Sequence, residues 1–77
     1  MHTLSELLGT LRRRRGISQS ELAERSGISE RQVSRYENGG AGVMSTATFS
    51  ALLFHLAETP AEKDALLLAL ADLRATE

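Results

Sequence analysis

The chain has 77 residues, of which 42% are hydrophobic and 25% charged, and its net charge is −1. These values are typical of one small globular domain, so we expect residues 1–77 to form a single domain. The absence of cysteine excludes disulfides and thiolate chemistry and fits a cytoplasmic protein, and no apolar run approaches the roughly 20 residues that cross a membrane.

The charge is unevenly distributed along the chain. Residues 1–40 hold seven arginines against five glutamates, a net charge of +2. Residues 41–77 hold two basic against five acidic side chains, a net charge of −3. An asymmetry of this kind indicates that the basic half contacts a polyanion and that the acidic half has another task.

The first helix is predicted to begin after Thr3, because Thr3-x-x-Glu6 is a capping box. The leucines that follow have the spacing of one buried helical stripe: Leu4, Leu7, Leu8 and Leu11. Four arginines, 12–15, fill the last turn, where the helix dipole favours cations, and Gly16 supplies a left-handed stop. We expect Arg15 to be a solvated cation of this kind.

Two more capping boxes follow, opened by Ser18 and Ser29 and closed three residues later by a glutamate and a glutamine. Gly27 lies between them, where a helix ends and a tight turn begins. The sequence therefore predicts two short helices joined by a turn, a helix-turn-helix over residues 18–38.

The third helix, predicted over Ser29–Asn38, has two different faces. Val33 and Tyr36 share one face, and Arg31 and Arg35 lie about 160° from Val33 on the opposite face. Two arginines one turn apart repel each other, so folding alone gives little reason to place them there. Arginine donates two hydrogen bonds to guanine O6 and N7, which predicts base contacts in a DNA major groove.

A solvated charged face is the alternative interpretation of these arginines. Glu30 relieves part of their repulsion in that case, whereas in a DNA complex it accepts a hydrogen bond from cytosine N4 or orients an arginine. We favour base contact because the residues lie in a helix-turn-helix.

Two further helices are predicted after a glycine-rich loop at 39–42. The fourth runs from about Thr46 to Ala57, and the fifth occupies about 60–75 behind the box Thr59-Pro60-x-Glu62. The fifth has two groups of leucines. Leu66, Leu70 and Leu73 close the core, whereas Leu67 and Leu68 lie outside that stripe and offer a surface to a second subunit or a further domain.

Residues 16–39 resemble the phage-repressor and Cro-like helix-turn-helix proteins. The matching segments are GISQSELA at 16–23, SGIS at 26–29 and VSRYENG at 33–39. The resemblance implies an all-α, five-helix bundle of the lambda-repressor-like type. It also implies a DNA-binding transcription regulator of bacterial or phage origin.

The resemblance assigns roles to individual residues. Those that approach bases are Glu30, Arg31 and Arg35, and Ser34 flanks them on the same helix. Those that contact phosphates are Gln19, Ser29 and Asn38, joined by the freer cations Arg13 and Arg14. Arg12 and Glu37 are implied to form a structural ion pair. The glycine loop departs from the family pattern because it carries no basic side chain, so we expect modest affinity from one copy.

The sequence thus predicts a sequence-specific regulator, a repressor, that places the Ser29–Asn38 helix in the major groove of double-stranded DNA. A homodimer through the last helix requires an inverted-repeat operator. The alternatives are a helix-turn-helix module that binds an acidic protein, and the N-terminal module of a larger regulator.

Catalytic and metal sites find no support in the sequence. No histidine accompanies a serine in a nucleophile–base arrangement, and His2 and His55 stand apart with no cysteine. We therefore expect no enzyme, no cofactor, no metal and no small-molecule substrate.

Overall fold

The computed structural model describes residues 3–75, and within them it contains five α-helices and no strand. The helices are α1 (Leu4–Arg14), α2 (Gln19–Ser26), α3 (Glu30–Arg35), α4 (Thr46–Leu56) and α5 (Pro60–Ala75). The predicted all-α fold with a helix-turn-helix is confirmed. None of the described helices is long and apolar enough to span a membrane.

The predicted N-caps set the beginnings of the first three helices. The reciprocal capping box is complete at Ser29 and Gln32, whereas at Ser18 the Glu21 carboxylate pairs with Arg25 instead. The side chains of Thr3, Ser18 and Ser29 each accept a hydrogen bond from the backbone N–H three residues later. Gly16 and Gly27 have φ values of 72° and 75°, so both occupy the left-handed region, as predicted. These local signals fix the short turn between α2 and α3.

The third helix is shorter than predicted, because it ends at Arg35 rather than at Asn38. A wide π-type turn, Tyr36–Gly40, follows, and Asn38 and Gly39 leave helical geometry within it. The turn brings Gly40 against the backbone of Arg35, where a Cβ would lie 2.9 Å from the carbonyl oxygen. Only glycine fits there, and Gly39, with a φ of 103°, also lies outside helical geometry.

The glycine-rich segment is more ordered than a simple loop. It continues from the wide turn into one 3₁₀ turn, Ala41–Val43. Ala41, the first residue of this turn, and Met44, which follows it, are buried in the core, whereas Val43 is 68% exposed. Two buried apolar side chains thus hold the connection between α3 and α4 in place.

One core joins all five helices. α1 packs on the wide turn and on α5, and α2 packs on both α3 and α4. The completely buried side chains are leucines and one valine: Leu8, Leu11, Leu22, Val33, Leu52, Leu56 and Leu66. The predicted core leucines of α5 are divided, because Leu66 is buried while Leu70 and Leu73 are partly buried against the core.

The beginning of α5 differs in one detail from the predicted capping box. Thr59 Oγ1 accepts from the N–H of Glu62 at 3.1 Å, as expected. The Glu62 carboxylate, however, accepts from the N–H of Glu58 at 3.0 Å. Glu62 therefore caps the residue before Thr59, because its carboxylate is also drawn to arginines at the end of α1.

Candidate nucleic-acid interface

The two faces of α3 lie where the helical wheel placed them. Val33 and Tyr36 are 2% and 5% exposed and hold α3 against the core. Arg31 and Arg35 are exposed on the other side. Glu30 and Gln32 are exposed as well, so four of the six residues of α3 are exposed.

An open depression between α2 and α3 brings the base-reading candidates together. Its lining consists of Gln19, Glu30, Arg31, Gln32, Ser34 and Arg35. All four residues predicted to read bases therefore share one surface. Gln32 was not predicted to belong to it. The capping box contained the signal, since a side chain that reaches back to the Ser29 N–H lies at the start of α3.

A second depression adjoins the first, because Gln19 lines both. Among its other lining residues are Arg13 and Asn38. Three of the five phosphate candidates thus lie side by side along the edge of the base-reading surface. Ser29 and Arg14 line neither depression.

Glu37 lines the second depression and is the centre of a hydrogen-bond network that includes Gln19. Arg12 Nε lies 2.7 Å from Glu37 Oε2, which is the ion pair implied by the family resemblance, and the two side chains are only 13% and 8% exposed. Gln19 Nε2 donates to Glu37 Oε1 at 3.1 Å. Arg12 also donates to the carbonyl of Ile17 at 2.9 Å. This network ties α1, α2 and the wide turn into one unit.

Asn38 has a local partner in the free protein. Its Nδ2 donates to the carbonyl of Ser34 at 2.7 Å and lies 3.3 Å from the Ser34 hydroxyl. The amide therefore satisfies a carbonyl left open where α3 gives way to the wide turn. This contact also links Asn38, a candidate for phosphate contact, to Ser34, a candidate for base contact.

Arg14 and Arg15 are held by the start of α5. Arg14 Nη1 lies 3.0 Å from Glu62 Oε2, and its side chain remains 56% exposed. Arg15 is 13% exposed and pairs with both Glu62 and Glu58. It also donates to the carbonyl of Leu56 at 3.0 Å. The expectation that Arg15 is a solvated cation is wrong, because the end of α4 and the start of α5 cover it.

The backbone N–H of Glu58 lowers the pKa of the Glu62 carboxyl, and the nearby guanidinium groups of Arg14 and Arg15 lower it further. Glu62 is therefore ionised at neutral pH. This joint between α1, α4 and α5 is structural in character, since neither depression includes any of its residues.

Four arginines line the two depressions, and three of them are uncommitted. Arg12 is the exception, because Glu37 and the Ile17 carbonyl hold it. Within the described part of the chain, Arg13, Arg31 and Arg35 form no ion pair and no hydrogen bond. Their donors are therefore available to an external acceptor. Residues 3–75 contain no cluster of metal-binding side chains, and His2 lies outside them.

Comparison with known proteins places the site in a family. No curated protein and no solved structure matches the chain significantly. Residues 3–66 match the helix-turn-helix domain family, and this span contains both depressions. The match is consistent with the Cro and repressor type and suggests a DNA-binding regulator. The chain belongs to the helix-turn-helix domain family.

Proposed function

We propose that the chain is a sequence-specific regulator of transcription that binds double-stranded DNA and represses by occupying an operator. The observation that carries this proposal is the pair Arg31 and Arg35, exposed on the outer face of α3 without a partner among the described residues. Their like-charge spacing is unfavourable in the free protein and becomes favourable beside the acceptors of a major groove.

Base reading is assigned to the first depression. Arg31 and Arg35 donate to guanine edges, Glu30 accepts from cytosine or orients an arginine, and Ser34 reaches an adjacent base. The reading element is α3 itself, Glu30–Arg35, rather than the longer helix predicted from the sequence.

Phosphate contacts come from the rim of the two depressions. Gln19 and Asn38 donate amide hydrogens, and Arg13 supplies a charge. Ser29 lines neither depression and is included as the N-cap of α3. Arg14 is the least favoured of these candidates, since Glu62 already holds one edge of its guanidinium.

A homodimer through α5 is part of the proposal. Leu67 and Leu68 are 43% and 70% exposed, and both lie beyond the last residue of the family match. The segment 39–43 carries no charge, so one copy neutralises few phosphates and binds weakly. Pairing two copies adds their contacts and predicts an inverted-repeat operator with half-sites about one helical turn apart.

The proposal assigns the protein to the cytoplasm, on DNA, with no catalytic activity and no cofactor. The acidic surface of a protein is the competing ligand for the same arginines. A larger regulator that carries this chain as its N-terminal module is compatible with the same DNA surface.

The decisive experiment is selection of binding sites from a pool of random duplexes. We expect an enriched inverted repeat and a binding constant that falls steeply with salt concentration. Arg31→Ala or Arg35→Ala is expected to cost about 1–3 kcal/mol and to relax the preference at one base position of each half-site. Arg25→Ala is the matched control, because Arg25 is exposed on α2 and paired with Glu21 outside both depressions.

One combination of results in these experiments would contradict the DNA-binding proposal. If no duplex is enriched and the arginine variants lose an acidic protein partner instead, the DNA proposal is wrong.

Leu68→Glu tests the dimer separately. We expect this variant to sediment as a monomer and to bind a single half-site as wild type does.

A further inference from the structure

The four consecutive arginines at the end of α1 are not equivalent. Three of them are held by glutamates on other elements. Arg13 is exposed and has no ion-pair or hydrogen-bond partner within residues 3–75. Its side chain nevertheless lines the second depression together with Gln19 and Asn38. No ion pair or hydrogen bond holds the Arg13 side chain in this depression, so its position depends on the space available beside α1.

Gly9, one turn before Arg13 on α1, provides the space. A Cβ at Gly9 would lie 3.1 Å from Nη1 of Arg13 and 3.3 Å from Oε1 of Glu37. Both distances are shorter than ordinary van der Waals contacts, so an added methyl group requires both neighbours to give by a few tenths of an ångström. Glu37 is the more restrained of the two, because its Oε1 accepts hydrogen bonds from Arg12 and Gln19. The unpaired Arg13, which is also the closer of the two, therefore makes the larger movement.

The backbone does not require glycine at this position. Gly9 lies in the interior of α1, where glycine is unfavourable, and it is not among the residues with positive φ. Alanine therefore suits the helix better than glycine does. The close approach of the Arg13 guanidinium is the local feature that alanine disturbs.

We propose that Gly9 is a positioning residue, which lets Arg13 fold back along α1 and bind a DNA backbone phosphate beside Gln19 and Asn38. The inference rests on the proposed DNA-binding function. The segment 39–43, after α3, carries no charge. Arg13 supplies a cation at this edge of the reading surface from another helix, α1.

Two variants test the inference through DNA affinity, measured on the selected duplex over a range of salt concentrations. Arg13→Ala is expected to weaken binding about tenfold and to reduce the salt slope by about 0.9, the loss of one phosphate contact. Gly9→Ala is expected to weaken binding about threefold, because the guanidinium is displaced rather than removed. Its thermal stability should stay close to that of wild type, because the gain in helix propensity is opposed by the tight contact with Glu37 Oε1.

The double variant distinguishes positioning from any other effect. If Gly9 acts through Arg13, adding Gly9→Ala to Arg13→Ala produces no further loss of affinity. Ser50→Ala is the stability control, since Ser50 is exposed on α4 and lines neither depression. It should raise helix stability and leave DNA affinity unchanged.

The outcomes separate this inference from the proposed function. If wild type binds no duplex, the DNA-binding function itself fails. If wild type binds and both variants match its affinity and salt slope, the function stands and the phosphate site is overturned. A Gly9→Ala variant that loses affinity equally with and without Arg13 shows that Gly9 does not act through Arg13. If Gly9→Ala unfolds, Arg13→Ala at its exposed position still decides whether the site exists.

Discussion

The end of α1 and the outer face of α3 use the same side chain for opposite purposes. At the end of α1, Arg12 and Arg15 are each 13% exposed and are held by carboxylates from distant parts of the chain. On α3, Arg31 and Arg35 are exposed and have no partner among the described residues. The side chain is the same at both places. What differs is its burial and whether a carboxylate lies beside it.

This contrast separates scaffold from site. An arginine that satisfies a buried carboxylate cannot be withdrawn without leaving an uncompensated charge. An arginine with no internal partner is available to an external acceptor and contributes little to folding. Arg13 lies next to Arg12 in sequence and belongs with the second group, so position on α1 does not decide the role.

The largest expected effect is a loss of stability when a scaffold arginine is removed. Arg12→Ala removes the partner of Glu37 and the donor to the Ile17 carbonyl. We expect the free energy of unfolding to fall by about 2–3 kcal/mol, because the nearly buried Glu37 carboxylate loses its counter-charge. Chemical denaturation at neutral pH measures this change.

The matched control is Arg35→Ala, the same substitution on α3. It should change stability by less than about 0.5 kcal/mol, or raise it slightly by removing repulsion from Arg31. Equal losses of stability in the two variants would contradict the division into scaffold and site arginines.

Local signals in the sequence were sufficient for the helix-turn-helix. The caps at Thr3, Ser18 and Ser29 and the left-handed glycines lie within a few residues of the groups they satisfy. The inward face of α3 followed from helical spacing alone. Such interactions can be predicted because both partners are neighbours in sequence.

Contacts between distant segments were missed, except for the Arg12–Glu37 pair, which came from the family resemblance and not from local spacing. Arg15 and Glu62 are 47 residues apart, and nothing in their local sequence indicates that they meet. The early end of α3 has a similar cause. Gly40 lies against the backbone of Arg35, and Ala41 and Met44 then enter the core, and helical periodicity reveals neither feature.

A second prediction concerns the joint at α5. Arg15→Ala removes the hydrogen bond to the Leu56 carbonyl and two ion pairs, one of them with the largely exposed Glu58. We expect the free energy of unfolding to fall by about 1–2 kcal/mol, less than for Arg12, because the exposed partner contributes little. Thermal denaturation followed by circular dichroism measures the loss.

Arg74→Ala controls for charge, since Arg74 is exposed near the end of α5 and forms no ion pair among the described residues. It should leave the melting temperature close to that of wild type. If Arg15→Ala also leaves it unchanged, Arg15 is not a scaffold residue and belongs with the arginines of α3.

The smallest effect is a pH dependence that comes from the same joint. The Glu58 N–H lowers the pKa of Glu62 in the folded state, with the guanidinium groups of Arg14 and Arg15 adding to the effect. A carboxyl whose pKa is lower when folded stabilises the protein above the pKa of the unfolded chain. That stabilisation disappears as the pH falls through the folded-state pKa.

Glu62→Gln should therefore be less stable than wild type at pH 7, and the difference should shrink on acidification towards pH 3. Glu24→Gln, at an exposed position on α2 with no ion pair in the described structure, should track wild type over the whole range. A difference that stays constant with pH would mean that the glutamine disturbs packing rather than charge. A shrinking difference shows that ionised Glu62 holds α5 to the arginines of α1, which leaves the arginines of α3 as the uncommitted ones.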